Sequence, residues 1–432
     1  MNPPISPVGS AVAAGAAADR RVIGLIALVH GLSHFFHLIL APLFPWLKVE
    51  FGLSYTELGL LVTVFFVVSG ICQSIAGFLV DRFGGVPVLM TSLAMFAIGA
   101  LLLGTATSYW QLAAGMAICG LGNAPFHPID FSIMNARIRP ARLGRAYAVH
   151  GISGNLGWAA APLFLVGITS ATGDWRMAHL GAAALAGAAL VLVIWQRAAL
   201  ADRAGAPAAT PAVSADPANN RATAPELPTE SPYAFLKLPA VWLSFLFFAV
   251  YAFALGGIQS FAPAAAGALH ALDPVTIGYC LTAYMVFAAL GMLPGGFVAG
   301  SPDGAERLIA IGFGGAALAA LSMLLIDWPA WMVPGVFAVM GFSAGFANPS
   351  RDLLVKRAAP PGATGRVYGV VYSGLDVGMA IGPALFGWMM DLGRPSLVWI
   401  SIVVLQFVMI GCAFLTGSAS RVDRTGTVAQ SA

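Results

Sequence analysis

Three histidines, His30, His34 and His37, recur at i, i+4 and i+7 inside an apolar segment, which puts them on one face of a helix. Imidazole titrates near pH 6.5, so such a face can relay protons or line a binding pocket. For His34 and His37, packing against neighbouring helices stays open beside that chemistry. For His30, nearer one end of the segment, packing is the preferred reading. Asp376 stands alone at mid-depth of a later apolar segment, where a carboxylate can load and release a proton or be held by structural hydrogen bonds. His127 and Asp130 lie one helical turn apart. They can line a cavity, but for Asp130 we favour a charge network with Arg137, Arg351 and Asp352 that closes a gate. Arg351 either snorkels from a helix end or points inward and grips an anion with its planar fork. Tyr251, Gln259, Tyr284 and Tyr372 are further lining candidates; Tyr251 and Tyr284 lie too deep in their segments to be interface anchors.

Several chemistries lack their residues. There is no phosphate-binding P-loop, no GxSxG elbow and no pair of catalytic carboxylates. A di-iron histidine box is short of ligands, since there are only seven histidines and those beyond the first segment form no further box. Cys72, Cys119, Cys280 and Cys412 all sit in apolar runs without metal spacing. We expect no enzyme, no metal, no disulfide and no cofactor.

The elements that must position these groups are membrane helices. Hydrophobic residues make up 59% of the 432 and charged residues 9%, with a mean hydropathy of +0.85. Soluble domains carry roughly a quarter charged residues, so the partner of this surface is a lipid bilayer. The net charge of +3 comes without a basic, aromatic-studded stripe, and no nucleic acid is expected. A bilayer core takes about 20 residues of helix. On that ruler twelve spans fit, at 22–46, 57–80, 86–106, 110–136, 145–169, 175–196, 238–264, 274–299, 307–326, 330–350, 364–390 and 396–416. Alternating polar positions of a barrel are absent, so all spans must be helices that satisfy their own backbone.

This gives a tail at 1–21, a six-helix bundle at 22–197, an Ala- and Pro-rich linker at 198–237, a second bundle at 238–416 and a tail at 417–432. The linker lacks the large apolar side chains needed to bury a core, and residues 1–21 read as a loose tail without a signal segment. With six spans on each side of the linker, all but Lys48, Arg176 and Arg394 of the 21 Lys and Arg residues fall on the face that carries linker and tails. That asymmetry puts both termini in the cytoplasm of an inner (plasma) membrane protein.

The halves are copies. A shift of 221 positions, without a gap, lays Gly120 on Gly341, Pro128 on Pro349, Pro140 on Pro361, Arg145 on Arg366, Tyr147 on Tyr368 and Pro162 on Pro383. The copies differ where His127 meets Asn348, Asp130 meets Arg351, His150 meets Val371 and Asn155 meets Asp376. A duplicated scaffold keeps its glycines and prolines for the backbone, whereas its polar side chains can diverge toward a task. Asn155 thus occupies in the fifth span the depth that Asp376 occupies in the eleventh. Gly151, Gly154 and Gly157, with Gly374, Gly378 and Gly382, form small-residue faces suited to close helix contact.

Two six-helix halves joined by a cytoplasmic linker resemble the major facilitator superfamily over essentially the whole chain. The loop Gly77-Phe-Leu-Val-Asp81-Arg82-Phe-Gly84-Gly85 is similar to that superfamily's signature after its second helix, although Gly85 and Val86 replace the basic pair. The resemblance implies gating roles for Asp81 and Arg82. The string Gly120-Leu-Gly-Asn-Ala-Pro-Phe-His127-Pro128, and His34-Phe-Phe-His37 followed by Pro42-Leu-Phe-Pro45, are similar to the fosmidomycin-resistance-type exporters of that superfamily. The fifth span carries Ala161-Pro162 where antiporters of the superfamily often have Gly-Pro, and the eleventh carries Gly382-Pro383. The resemblance implies a monomeric, proton-coupled antiporter exporting a small organic, anionic compound by alternating access. Uptake of an organic acid is the runner-up. A membrane-embedded metalloenzyme and a transporter-like sensor are the rivals from other classes.

Overall fold

The computed structural model describes residues 7–200, 234–299, 304–358 and 364–430, and among them there is no β-strand. The linker thus lies almost wholly outside the described residues. The helices are α1 (Pro7–His37), α2 (Phe44–Phe51), α3 (Tyr55–Phe83), α4 (Gly85–Gly104), α5 (Tyr109–Asn123), α6 (Phe126–Arg137), α7 (Pro140–Thr172) and α8 (Trp175–Leu200). They continue as α9 (Pro239–Ser260), α10 (Ala262–His270), α11 (Pro274–Val298), α12 (Ala305–Leu325), α13 (Val333–Ala358), α14 (Thr364–Asp391) and α15 (Pro395–Gln430). Ten of these are long and apolar enough to cross a membrane, eleven if the bent pair Ala17–His37 and Ala41–Phe51 is one span. The remaining expected span, 110–136, is divided between α5 and α6. The architecture is that of twelve membrane helices in two six-helix bundles.

Three spans depart from the expected limits, each for a local reason. The first helix stops at His37 rather than running to 46, because Pro42 and Pro45 remove backbone donors and restart the chain as a 3-10 turn and α2. The seventh breaks at Phe261, just before Pro263, into α9 and α10. The fourth breaks between Asn123 and Phe126, at Pro125. Its copy in the second half explains why. Pro349, equivalent to Pro128, lies inside an unbroken α13, and the position equivalent to Pro125 is Phe346. The second proline therefore makes the break. The expected tails at 1–21 and 417–432 are partly helical, since α1 already begins at Pro7 and α15 runs to Gln430; runs such as Ala11–Ala18 favour helix intrinsically.

The chain divides into two compact units, one of Met1–Gly52 with Val64–Thr210, the other of Leu53–Thr63 with Pro211–Ala432. Inside the first, α1 packs on α7, and α4 packs on α5 and α8. Inside the second, α9 packs on α14 and α15, and α13 packs on α11 and α12. The small-residue faces account for much of this closeness. Gly154 and Gly157 abut α1, and Gly374, Gly378 and Gly382 abut α9, whereas Gly151 faces open space. A stack of fully buried rings, Phe36 on Phe96 at 4.1 Å and Phe96 on Phe126 at 5.3 Å, pins α1, α4 and the start of α6 together. Phe36 and Phe126 immediately precede His37 and His127. Packing of the rings thereby sets the two histidine-bearing helices in register.

Candidate functional site

Five of the seven histidines gather inside the first unit. His30, His34 and His37 come from α1, His127 from the first turn of α6, and His150 from α7. The rings of His30 and His150 stack at 3.5 Å, those of His30 and His34 approach to 4.5 Å, and those of His34 and His37 stack at 4.8 Å. His127 flanks the group, 5.6 Å from His30 and 6.3 Å from His150, with its side chain exposed.

Asp130 is the carboxylate at the centre. It is fully buried, and its Oδ2 lies 3.0 Å from His150 Nε2 and 2.9 Å from His30 Nδ1. The first contact is a hydrogen bond that His150 donates in the protonation the carboxylate demands; the second is an off-axis approach without hydrogen-bond alignment. Oδ1 of the same carboxylate has no hydrogen-bond partner among the described residues. A carboxylate taken out of water is retained only when partners compensate it, and here the compensation comes from imidazoles. The sequence pointed Asp130 toward a gate with Arg137, Arg351 and Asp352. The fold instead seats it among histidines, because α6 turns that face toward α1 and α7. Arg137 is half-buried at the last turn of α6, and the side chain of Asp352 lies outside the described residues.

A polar chain extends from the cluster. Trp158 Nε1 donates to His37 Nδ1 at 3.3 Å, His37 Nε2 contacts Asn123 Oδ1 at 3.0 Å, and Asn123 Nδ2 donates to Ser69 Oγ at 2.9 Å. An imidazole that accepts from Trp158 and donates to Asn123 is neutral, with its proton on Nε2. Asn123 can reach this position because it ends α5 at the Pro125 break. His34 lies between the two groups, 4.4 Å from the Trp158 ring, with Nδ1 buried and without a hydrogen-bond partner. It fits there because Gly154 stands opposite; a Cβ on Gly154 would come within 2.8 Å of the ring. Asn155, by contrast, donates to Gly151 O of its own helix at 3.1 Å.

The second unit holds the other expected residues. The guanidinium of Arg351 lies over Phe248 at 4.9 Å and over Tyr251 at 4.7 Å, so it turns toward α9. Tyr372 packs on the other neighbour of that group, 4.9 Å from Phe248, and Asp376 follows one turn later on α14, half-buried. Tyr251, Tyr284, Phe313, Gln406 and Met409 line a small recess. Gln259 is buried nearby on α9, its Nε2 without a hydrogen-bond partner. Asp81 and Arg82 are exposed at the end of α3, where Gly84, at φ +83°, turns the chain into α4 with a backbone that favours glycine.

Three cluster residues, Asn123, Ser69 and Trp158, were not singled out from the sequence, and His150 stood out there only as a position where the copies differ. The available signal was the exchange of His150 for Val371 between copies. Asp391 was missed as well: within the second unit its carboxylate accepts from Tyr55 N at 2.7 Å and Thr56 N at 2.8 Å, capping the first turn of α3.

The model of the Major Facilitator Superfamily matches residues 26–270 and 245–430. The chain belongs to this superfamily. Among curated relatives, the Fosmidomycin resistance protein of Escherichia coli (strain K12) is 27% identical over 179 residues, 40% of this chain and 44% of that one. The Probable 4-methylmuconolactone transporter of Cupriavidus pinatubonensis (strain JMP 134 / LMG 1197) is 34% identical over 119 residues, 28% of each chain. The matched stretches thus span less than half of these relatives. A solved bacterial homologue of the human lysosomal transporter Spinster, in an inward-facing and unoccupied conformation, superposes with a TM-score of 0.71. It shares 17% identity and the match covers 94% of this chain and 97% of that one, which establishes a common fold. This major facilitator chain is a multi-pass membrane protein, and its relatives are transporters rather than enzymes, which removes the metalloenzyme reading.

Proposed function

We propose that this chain is a secondary active transporter that exports a small organic compound by alternating access, in exchange for protons. The observation that carries the reading is the array of five imidazoles gathered around one fully buried carboxylate in helices built to cross lipid. Ionisable groups at that depth are costly and accompany passage of a substrate or ion. Export is favoured by the relative named for fosmidomycin resistance and by a match to the Bacillibactin exporter of Bacillus subtilis (strain 168), 31% identical over 96 residues. Uptake of an organic acid is the second reading, favoured by the match to the Probable L-galactonate transporter of Escherichia coli (strain K12), 31% identical over 132 residues.

In this reading His34, His37 and Trp158 are the substrate-contacting residues of the first unit, and within the second unit Arg351 with Tyr251 and Tyr372 offers a group for an anion. Asp376 carries the coupled proton, and Asp81, Arg82 and Arg137 work the cytoplasmic gate. The sequence holds no nucleotide-binding loop, so an ion gradient is the energy source. The test begins with a resistance panel, fosmidomycin included, on cells lacking or overproducing the gene. Flux of the compound so found is then measured in proteoliposomes under imposed pH gradients. Asp376→Asn should abolish acceleration by the gradient while leaving exchange at equal pH. Gradient-driven flux of normal rate in that variant would end the coupling assignment.

A further inference from the structure

His30, His127 and His150 come from three different helices, yet each offers one ring nitrogen and these nitrogens all lie within 4.8 Å of one another. Asp130 touches two of the three rings through Oδ2 and keeps Oδ1 buried without a hydrogen-bond partner. We propose that these three imidazoles, with the Asp130 carboxylate, form a binding site for a divalent transition-metal ion such as zinc, cobalt or nickel. The proposal is independent of what the protein transports.

Ligand chemistry selects the class of ion. Imidazole suits zinc, nickel, cobalt and copper, whereas calcium and magnesium require shells of oxygen that a single carboxylate does not supply. Zinc–nitrogen bonds of about 2.0–2.1 Å place the ligand atoms of a tetrahedron about 3.3 Å apart. The present spacing therefore has to close by at most about 1.5 Å, which lies within the reach of small χ adjustments. Asp130 also prepares one ligand, His150. A ring that gives its N–H to a carboxylate keeps its other nitrogen unprotonated, which is the form that binds a metal. Such a carboxylate can remain behind the ligands, or move its free Oδ1 into the fourth position.

The neighbouring histidines delimit the site. His37 is excluded because Trp158 and Asn123 occupy both of its nitrogens. His34 packs against the group but belongs to no triad of converging ligand atoms among the described residues. Of the three rings only that of His127 is exposed rather than buried. A bound ion would tie α1, α6 and α7 together. Protonation of one imidazole would also compensate Asp130, so the experiment has to separate metal from proton.

The full chain is purified in detergent with an affinity tag that contains no histidine, and is stripped with a chelator. Cobalt(II) is titrated while the visible d–d absorption of a tetrahedral site is followed, and zinc(II) binding is measured by calorimetry. One ion per chain is expected, together with a rise in the thermal midpoint. His127→Ala and His150→Ala should each weaken binding at least about 10-fold, and Asp130→Asn should weaken it by about 10–100-fold as an outer partner does. His270→Ala, in the second unit, should bind as the parent does. His150→Gln and Asp130→Asn preserve volume and keep the test open if an alanine variant fails to fold. Absence of a stoichiometric ion in the parent, or binding that survives His127→Ala and His150→Gln unchanged, would overturn the proposal.

Discussion

Alanine at Gly151, Gly154 and Gly157 tests the packing of α7 on α1 with one chemical change at three steps along a single helix. All three substitutions gain intrinsic helix preference of about 0.8–1.0 kcal/mol. At Gly151 the new methyl meets nothing within 4 Å, so the gain stands and the variant should be unchanged or slightly more stable. At Gly154 the methyl would sit 2.8–3.1 Å from three atoms of the His34 ring. That ring can swing aside, so an overpacking cost of about 1–3 kcal/mol leaves a net loss between about 0 and 2 kcal/mol. At Gly157 the methyl runs into backbone: it meets the carbonyl oxygen of Gly31, with the carbonyl carbon at 2.8 Å and Cα at 3.1 Å. No rotamer relieves that contact, so α1 must move, and the cost lies at the top of the range or above it, a net loss of about 2 kcal/mol or more. The assay is thermal unfolding in detergent, followed by intrinsic tryptophan fluorescence. Trp158, one residue from Gly157, additionally reports displacement of His34. The reasoning is refuted if Gly157→Ala is as stable as Gly151→Ala.

Asp130→Ala should destabilise the protein by about 1–3 kcal/mol, because it leaves the buried N–H of His150 without its acceptor, and Asp130→Asn, which keeps an acceptor oxygen, should lose less. Denaturant titration of both variants beside the parent reads the difference, and an alanine variant as stable as the parent would show that the carboxylate is dispensable. Asp391→Ala removes the acceptor for Tyr55 N and Thr56 N and should cost about 1 kcal/mol; Asp391→Asn should retain most of it. Hydrogen exchange at the first turn of α3 should rise in the alanine variant, and unchanged protection there would contradict the capping role.

The membrane class, the number of spans and the duplication were legible in the chain because they rest on local or periodic properties. Hydropathy marks a span wherever it lies, and prolines and glycines mark where backbones bend or approach. Thus Gly374, Gly378 and Gly382 were recognisable as a contact face from spacing alone, and all three meet α9. Even the break in the fourth span has a readable cause in Pro125, visible once its copy is compared at Phe346. The site was only half legible. Spacing placed His30, His34 and His37 on one face, and one turn joined His127 to Asp130.

Which neighbours those faces meet was a different matter. In a soluble helix an apolar stripe points to the core, so rotation about the axis can be read from the pattern. In lipid the outward face is as apolar as the inward one, and that information is lost. His30 was read as packing and Asp130 as a gate residue for this reason, and nothing local connected either with His150. The sequence by itself determined that ionisable side chains lie within spans of a duplicated membrane protein. Tertiary packing alone decided that three helices turn those side chains toward one carboxylate, because helix rotation in hydrocarbon is set by contacts between neighbours and not by hydrophobicity.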